Sequence, residues 1–279
     1  MKRIVSLLKF PFVAALSYGP LRKRIVSEII QKHYDDLNVV VPLPGGVCCP
    51  IVSLEHWVSF DNIFCEREYD RLLFSIPLPR SWLDVGCHAG HFTLRLASLW
   101  AESGNRFGWR ALLIDADSRS ASAVDKIIAN NQFELNRIVF LHGAIADRSI
   151  NIQFSENAYM TSEVVPDTSV GQWINSVAVL HEEAILNRLN PPYDLIKLDI
   201  EGAEFDFFNA YTGLLSQSKH VICEWHSWHR GGGGKAQLIE MAQKTNFQLL
   251  AECHTERVVQ RNGRLEQCGL MLLKNNTAR

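Results

Sequence analysis

The chain carries almost no excess charge of either sign: 28 Lys and Arg against 30 Asp and Glu leave a net charge of -2 over 279 residues. No overall field is available to hold a polyanion, so nucleic acid is not an expected partner. Paired C-x-x-C spacing is also missing. The 7 cysteines are odd in number, and the adjacent Cys48 and Cys49 cannot be half of a disulfide framework. This argues for reduced, buried thiols and a cytoplasmic location. No stretch reaches the roughly 20 apolar residues that span a bilayer. There is no internal repeat, and low-complexity sequence is confined to Gly231 to Gly234. Neither G-x-G-x-x-G nor G-x-x-x-x-G-K-[ST] occurs. That removes the usual signatures of a dinucleotide fold and a P-loop, and disfavours a nicotinamide-dependent oxidoreductase.

What is present suits a packed core, with 47% hydrophobic and 21% charged residues. At roughly 100 to 200 residues per domain, the length allows one large domain with an extension. In the opening MKRIVSLLKFPFVAALSYGPLRKR, Ile4, Leu7, Leu8 and Phe12 recur at helical spacing among basic residues. A terminal helix packed on its own domain accounts for this, with peripheral membrane contact through residues 1–24 as the other reading. PLPGGVCCP and SIPLPRS are turn chemistry, so we divide the chain into a helical or irregular extension, 1–80, and a main domain, 81–279.

Beyond residue 80, short apolar runs alternate with helical stretches: SWLDV, a helix from about His91 to Trp100, RALLID, Ser118 to Asn131, and RIVFLHG. DLIKLDI, Ala203 to Leu215, HVICEWH and Lys235 to Thr245 continue the pattern. Strands spaced by helices require right-handed crossovers and predict an α/β fold with an open, mostly parallel, twisted sheet. FQLLAEC and CGLMLLK are too close for a crossover helix, and Asn262-Gly263 between them signals a hairpin. The C-terminal strand should therefore run antiparallel.

The most informative stretch is WLDVGCHAGHF, a strand ending in Asp84-x-Gly86-x-x-x-Gly90 that leads into a helix. Ligands of an open parallel sheet lie at the carboxyl ends of its strands. Glycine there lets the backbone bend sharply and approach a ligand. The pattern is typical of S-adenosylmethionine (SAM) methyltransferases, in which an acid on the next strand takes the ribose hydroxyls. ALLIDAD ends in such an acid, Asp115. A tight turn and a helix N-terminal charge would explain each feature singly. Their occurrence at consecutive strand ends favours a ligand.

A second constellation is YDLIKLDIEGAEFDFF. Lys197 and Asp199 point to the same face of a strand covered on both sides, and Glu201 and Glu204 follow in the turn and first helical turn. The neighbouring strand contributes Glu224 and His226, so these groups converge at one sheet end. A structural ion-pair cluster, Lys197 with Glu224, is the other account.

Residues 81 to about 274 resemble the FkbM family of SAM-dependent methyltransferases. WLDVGCHAGHF is similar to its D-x-G-x-N-x-G loop, ALLIDAD to its E-P strand end and HGAIAD to its third-strand turn. LIKLDIEGAE is similar to its K-x-D-x-E-G-x-E motif and CEWH to its E-x-H. The resemblance implies a Rossmann-like class I methyltransferase fold. It also implies SAM binding by Asp84, Gly86, Gly90, Asp115 and the Ala144 neighbourhood, and an acceptor side built from Lys197, Asp199, Glu201, Glu224 and His226. His88 stands where asparagine is usual, Asp115-Ala116 replaces Glu-Pro, and VLHEE replaces L-D-D. Family members characteristically methylate hydroxyl groups, so the expected partner is a small-molecule or glycan acceptor. A SAM-binding fold without catalysis, serving as a scaffold, is the alternative.

A hydroxyl needs help losing its proton. His226 is the natural base by its ordinary pKa, and Lys197 is a second candidate if burial makes it neutral. A divalent ion on Asp199, Glu201 and Glu204 is chemically possible but is not predicted. His226, His229 and Cys223 invite a zinc reading but lack further ligands at a recognisable spacing. Trp57, Trp82, Trp173, Trp225 and Trp228 suit core packing. Gly231 to Gly234 suits either a lid over the acceptor or a slack loop.

Overall fold

A computed structural model describes residues 38–134, 136–147, 152–155, 163–165, 174–227, 234–253, 257–261 and 264–277. Residues 1–24, His229, Trp173, Trp228, Asn262-Gly263 and Gly231 to Gly233 lie outside the described residues, as does every expectation attached to them. Among the described residues, no helix is long and apolar enough to cross a membrane.

The described chain opens with a hairpin of β1 (Val39–Pro42) and β2 (Cys48–Ile51), then α1 (Leu54–Phe60), a π-type turn (Asp61–Cys65) and α2 (Asp70–Leu73). The alternating region follows as β3 (Ser81–Val85), α3 (His91–Glu102), β4 (Arg110–Asp115), α4 (Arg119–Asn131) and β5 (Ile138–His142). An unforeseen antiparallel trio, β6 (Ile152–Ser155), β7 (Glu163–Val165) and β8 (Ile174–Val177), precedes α5 (Glu182–Leu186) and β9 (Tyr193–Leu198). After these come α6 (Glu204–Ala210), α7 (Thr212–Ser216), β10 (Ser218–His226), α8 (Lys235–Lys244), β11 (Phe247–Glu252), β12 (Arg257–Arg261) and β13 (Arg264–Asn275).

The central sheet runs β11-β13-β10-β9-β3-β4-β5. From β10 to β5 every pairing is parallel. β13 is antiparallel to both β10 and β11, between which it lies. This is the Rossmann-like arrangement expected, a mostly parallel sheet with an antiparallel C-terminal strand. The order turns back on itself at β3 and β9, where the crossover connections diverge and a crevice must open.

Alternation of side chains assigns each strand to two apolar layers, as a sheet covered on both faces requires. Trp82, Leu113, Leu195 and Leu272 face one layer; Leu83, Leu112, Ile196 and Met271 face the other. Trp82 stacks on Trp109, and Trp225 is buried in the second layer. Of the seven free cysteines, Cys49, Cys87, Cys223 and Cys268 are buried and Cys65 is exposed.

Two differences from expectation have clear causes. The helix expected from Ala203 to Leu215 breaks at Tyr211, whose hydroxyl donates to the Leu180 carbonyl at 2.7 Å and whose backbone leaves the helical region. The segment before residue 80, expected to be helical or irregular, contains a hairpin, and from Leu43 onward it packs into the same apolar layer as Trp82 and Phe92. A buried bidentate pair, Asp70 with Arg95, joins it to α3 at 2.9 and 2.7 Å.

Candidate functional site

The carboxyl ends of β3, β4 and β9 open onto one cleft of about 790 Å³, its mouth included. One wall is the turn after β3. Gly86 and Cys87 donate their N–H groups to the Ile114 carbonyl at 2.9 and 3.1 Å, holding this turn against β4. Gly86 has φ +72, and a Cβ on it would sit 1.7 Å from the Asp199 carbonyl oxygen. No side chain can be accommodated there. Gly90, at φ +76, starts α3, and a Cβ on it would press on Ile127 at 3.0 Å. Gly86 therefore shapes the cleft, and Gly90 seats one helix against another.

Asp115 lines the cleft, and each of its oxygens already accepts a backbone N–H, from His88 at 2.6 Å and Asp117 at 2.8 Å. A second lone pair remains on each oxygen. Ala144 is buried, tied to the strand before α5 by its N–H to the Ala178 carbonyl at 2.9 Å, and also lines the cleft. Asp84 does not. It is fully buried, accepts from the Thr93 hydroxyl at 2.8 Å and lies 3.5 Å from the Lys197 ammonium.

The opposite wall carries Asp199 and Glu201. Glu201 has φ +53 in a turn held by Glu204, whose buried carboxylate accepts the N–H groups of Ile200 at 3.1 Å and Gly202 at 3.1 Å. Behind this wall is a buried charged network. Lys197 lies 3.4 Å from Asp199 and donates to the Gly86 carbonyl at 2.6 Å. The ion pair expected between Lys197 and Glu224 is replaced by two others, because Arg257 pairs with Glu224 and Lys197 lies between Asp84 and Asp199. The His226 Nδ1 meets Glu204 Oε1 at 2.9 Å.

These contacts set the protonation states. Burial alone works to lower the Lys197 pKa, but Asp199 and Asp84 outweigh it and hold the ammonium above its ordinary value. The neutral amine expected as one candidate base is therefore not available at neutral pH. Burial also opposes charge on His226, yet Glu204 beside it raises the imidazole to about 10. At neutral pH His226 has no lone pair for a substrate proton. Burial and the nearby Asp199 push Glu224 up to about 7, while Lys197 overcomes burial at Asp199 and keeps that carboxylate below its ordinary pKa. Donor atoms of Asp199, Glu224 and His226 lie within 4.8 Å of one another, a spacing compatible with a cation. Lys197 and Arg257 already supply positive charge beside them.

Several site residues had no sequence signal. Glu55 and Arg119 form an ion pair at 3.6 Å across the cleft mouth, and both line the cleft. Ser53 announces α1 as an N-cap, accepting the His56 N–H at 3.2 Å, but nothing in the sequence says where that helix lies. The same holds for Tyr69, whose hydroxyl reaches Glu224 at 3.5 Å, and for Arg257.

No protein-family model matches the chain, and no curated protein matches it. Solved structures are similar at a distance. A magnesium protoporphyrin IX methyltransferase from Synechocystis PCC 6803 with bound SAM has a TM-score of 0.43 at 11% identity, covering 80% of this chain and 81% of that one. TehB from Haemophilus influenzae has 0.46 at 11%, over 78% and 66%. An O-methyltransferase from Bacillus cereus with S-adenosylhomocysteine has 0.41 at 15%, over 76% and 81%. Likeness at this level assigns neither activity nor substrate.

Proposed function

We propose that the protein is a SAM-dependent methyltransferase that methylates a hydroxyl group of a small acceptor, a sugar or another hydroxylated molecule, in the manner of the FkbM-like enzymes its motifs resemble. The observation that carries this reading is a single cleft walled on one side by the Gly86 turn, Asp115 and Ala144, and on the other by Asp199 and Glu201. Its features fit SAM. Gly86 lets the end of β9 close against the β3 turn so that both walls face one cleft, Ile114 and Ile145 offer apolar surface, and Asp115 keeps acceptor lone pairs for a diol.

When bound, SAM supplies an electrophilic methyl group on a sulfonium. The chain must then align the acceptor oxygen and manage its proton. Asp199, kept ionised by Lys197, accepts a hydrogen bond from the acceptor hydroxyl and orients it. Glu224, at about 7, is the neighbouring carboxylate able to hold a proton near neutrality, and such help is worth roughly 10²–10⁴-fold. His226 and Lys197 stay charged and fix the positions of Glu204, Asp199 and the Gly86 carbonyl.

Calorimetry with SAM, S-adenosylhomocysteine and NAD tests the cofactor, and labelled-methyl transfer into fractionated lipid, polysaccharide and metabolite pools tests the reaction. Binding of the two adenosyl compounds but not NAD is expected, with label appearing on a hydroxylated acceptor. Failure to bind SAM removes the reading. SAM binding without transfer to any pool favours the inactive scaffold.

A further inference from the structure

Five carboxylates line the cleft, those of Glu55, Asp115, Asp117, Asp199 and Glu201, against the single guanidinium of Arg119. That guanidinium is already committed to acids: its Nε donates to Asp117 at 2.9 and 3.1 Å, and Glu55 lies 3.6 Å away. The lining contains no lysine. Behind the wall, Lys197, His226 and Arg257 face Asp84, Glu204, Glu224 and Glu68, so no surplus of positive charge reaches the cleft from that side. Bound SAM reduces the negative excess without removing it, because its own carboxylate offsets part of its sulfonium and ammonium charge. Glu201 stands out within this lining. Its φ is +53, a conformation that glycine takes without strain, as Gly202 beside it does at φ +103. A glutamate kept there holds a carboxylate on the wall two residues beyond Asp199.

We propose that the acceptor carries a protonated amine as well as its hydroxyl, as an amino sugar or amino alcohol does, and that Glu201 receives the ammonium while Asp199 orients the hydroxyl. This rests on the methyl-transfer reading and narrows its substrate class. A cleft lined by one sign of charge, with apolar surface such as Ile114 and Ile145 between the acids, focuses its field on a cation. The same field turns away phosphorylated and carboxylated acceptors. Glu201 also helps to keep His226 charged, and its two oxygens can serve a second cation. These surroundings hold the amine in its protonated form. An ammonium has no lone pair with which to take a methyl group, so transfer goes to oxygen although a free amine is the better nucleophile.

The test titrates the full chain, saturated with S-adenosylhomocysteine, by calorimetry with matched ligands: glucosamine against N-acetylglucosamine, kanamycin against its fully N-acetylated form, and glucose against glucose 6-phosphate. Each amine should bind at least ~10-fold more tightly than its acetylated partner, which keeps the ring and loses the charge, and glucose 6-phosphate should bind more weakly than glucose. Added salt should narrow these gaps. Glu201→Gln, checked for folding by circular dichroism, should lose most of the preference for the amines while its affinity for S-adenosylhomocysteine stays parental. The comparison on the parent decides by itself if that variant does not fold. Equal binding within both amine pairs, or a preference for the phosphate, overturns the inference and leaves the cofactor reading standing. A preference that survives Glu201→Gln and disappears in Asp117→Asn overturns Glu201 as the receiver of the ammonium. Failure to bind S-adenosylhomocysteine removes the methyl-transfer reading and this inference with it.

Discussion

Asp84 and Lys197 are register partners on the neighbouring parallel strands β3 and β9, with carboxylate and ammonium 3.5 Å apart and both groups sealed from solvent. A pair in that position braces the strand ends behind the cleft rather than touching a ligand within it. Asp84→Ala should lower unfolding stability by about 3 kcal/mol, near the low end for breaking a buried pair because Asp199 remains as a second partner. Urea denaturation measures this. Unchanged stability together with lost SAM affinity would make Asp84 a direct ligand instead.

Asp115 predicts a different outcome. Its carboxylate faces the cleft, so Asp115→Ala should weaken SAM binding by about 10- to 100-fold, the scale of one charged hydrogen-bonding group, with a lowered melting temperature but a folded chain, because the His88 and Asp117 N–H groups lose their acceptor. Calorimetry on the folded variant gives the result, and parental affinity would remove Asp115 from the cofactor site.

His226 makes stability fall with rising pH. Its folded pKa, about 10, lies above the ordinary 6.5, so the stabilisation is complete below pH 6.5 and is lost as the pH climbs through about 10. Urea midpoints from pH 7 to 10 should slope down in the parent and flatten in His226→Gln. Equal slopes would show that the imidazole is not held charged by Glu204.

Turnover should report a different group. With Glu224 at about 7, the rate should rise through that pH, and Glu224→Gln should abolish the limb as well as lowering the rate. A limb that persists in Glu224→Gln but disappears in His226→Gln would return the role of base to the histidine.

Truncations separate the two parts of the segment before residue 80. Removing residues 1–20 should leave SAM binding intact. Removing everything through Pro79 should prevent folding, because Leu72 and Tyr69 are buried against the sheet and Arg95 would lose Asp70. A folded, SAM-binding product of the longer deletion, judged by circular dichroism and calorimetry, would show that the segment is dispensable.

The parallel strands and their following helices were legible because their signals are local: an apolar run, a glycine turn, then a helical period, as in SWLDVGCHAGHF. Asp115, Asp199 and Glu201 were found by the same logic, since residues at strand ends share the crevice wherever the strands are parallel neighbours. What could not be read was contact at long range. Glu55, Tyr69 and Arg257 reach the site from elements with weak periodicity, and only the packed structure brings Tyr69 to Glu224, 155 residues away. Protonation was hidden for the same reason. A histidine two residues after a glutamate looks like a base until Glu204, from another element, is placed at 2.9 Å.

The position of β13 between β10 and β11 also fixes an order of assembly. β10 and β11 are synthesised first, yet neither can pair with the other in the finished sheet. Until β13 arrives, a nascent chain carries the open edge of β10, an apolar strand with residues such as Val221 and Ile222. Such edges recruit other chains. A ribosome stalled before Arg264 would thus release an aggregation-prone species although every cleft residue had already been made, so holdase chaperones should engage this protein late in translation.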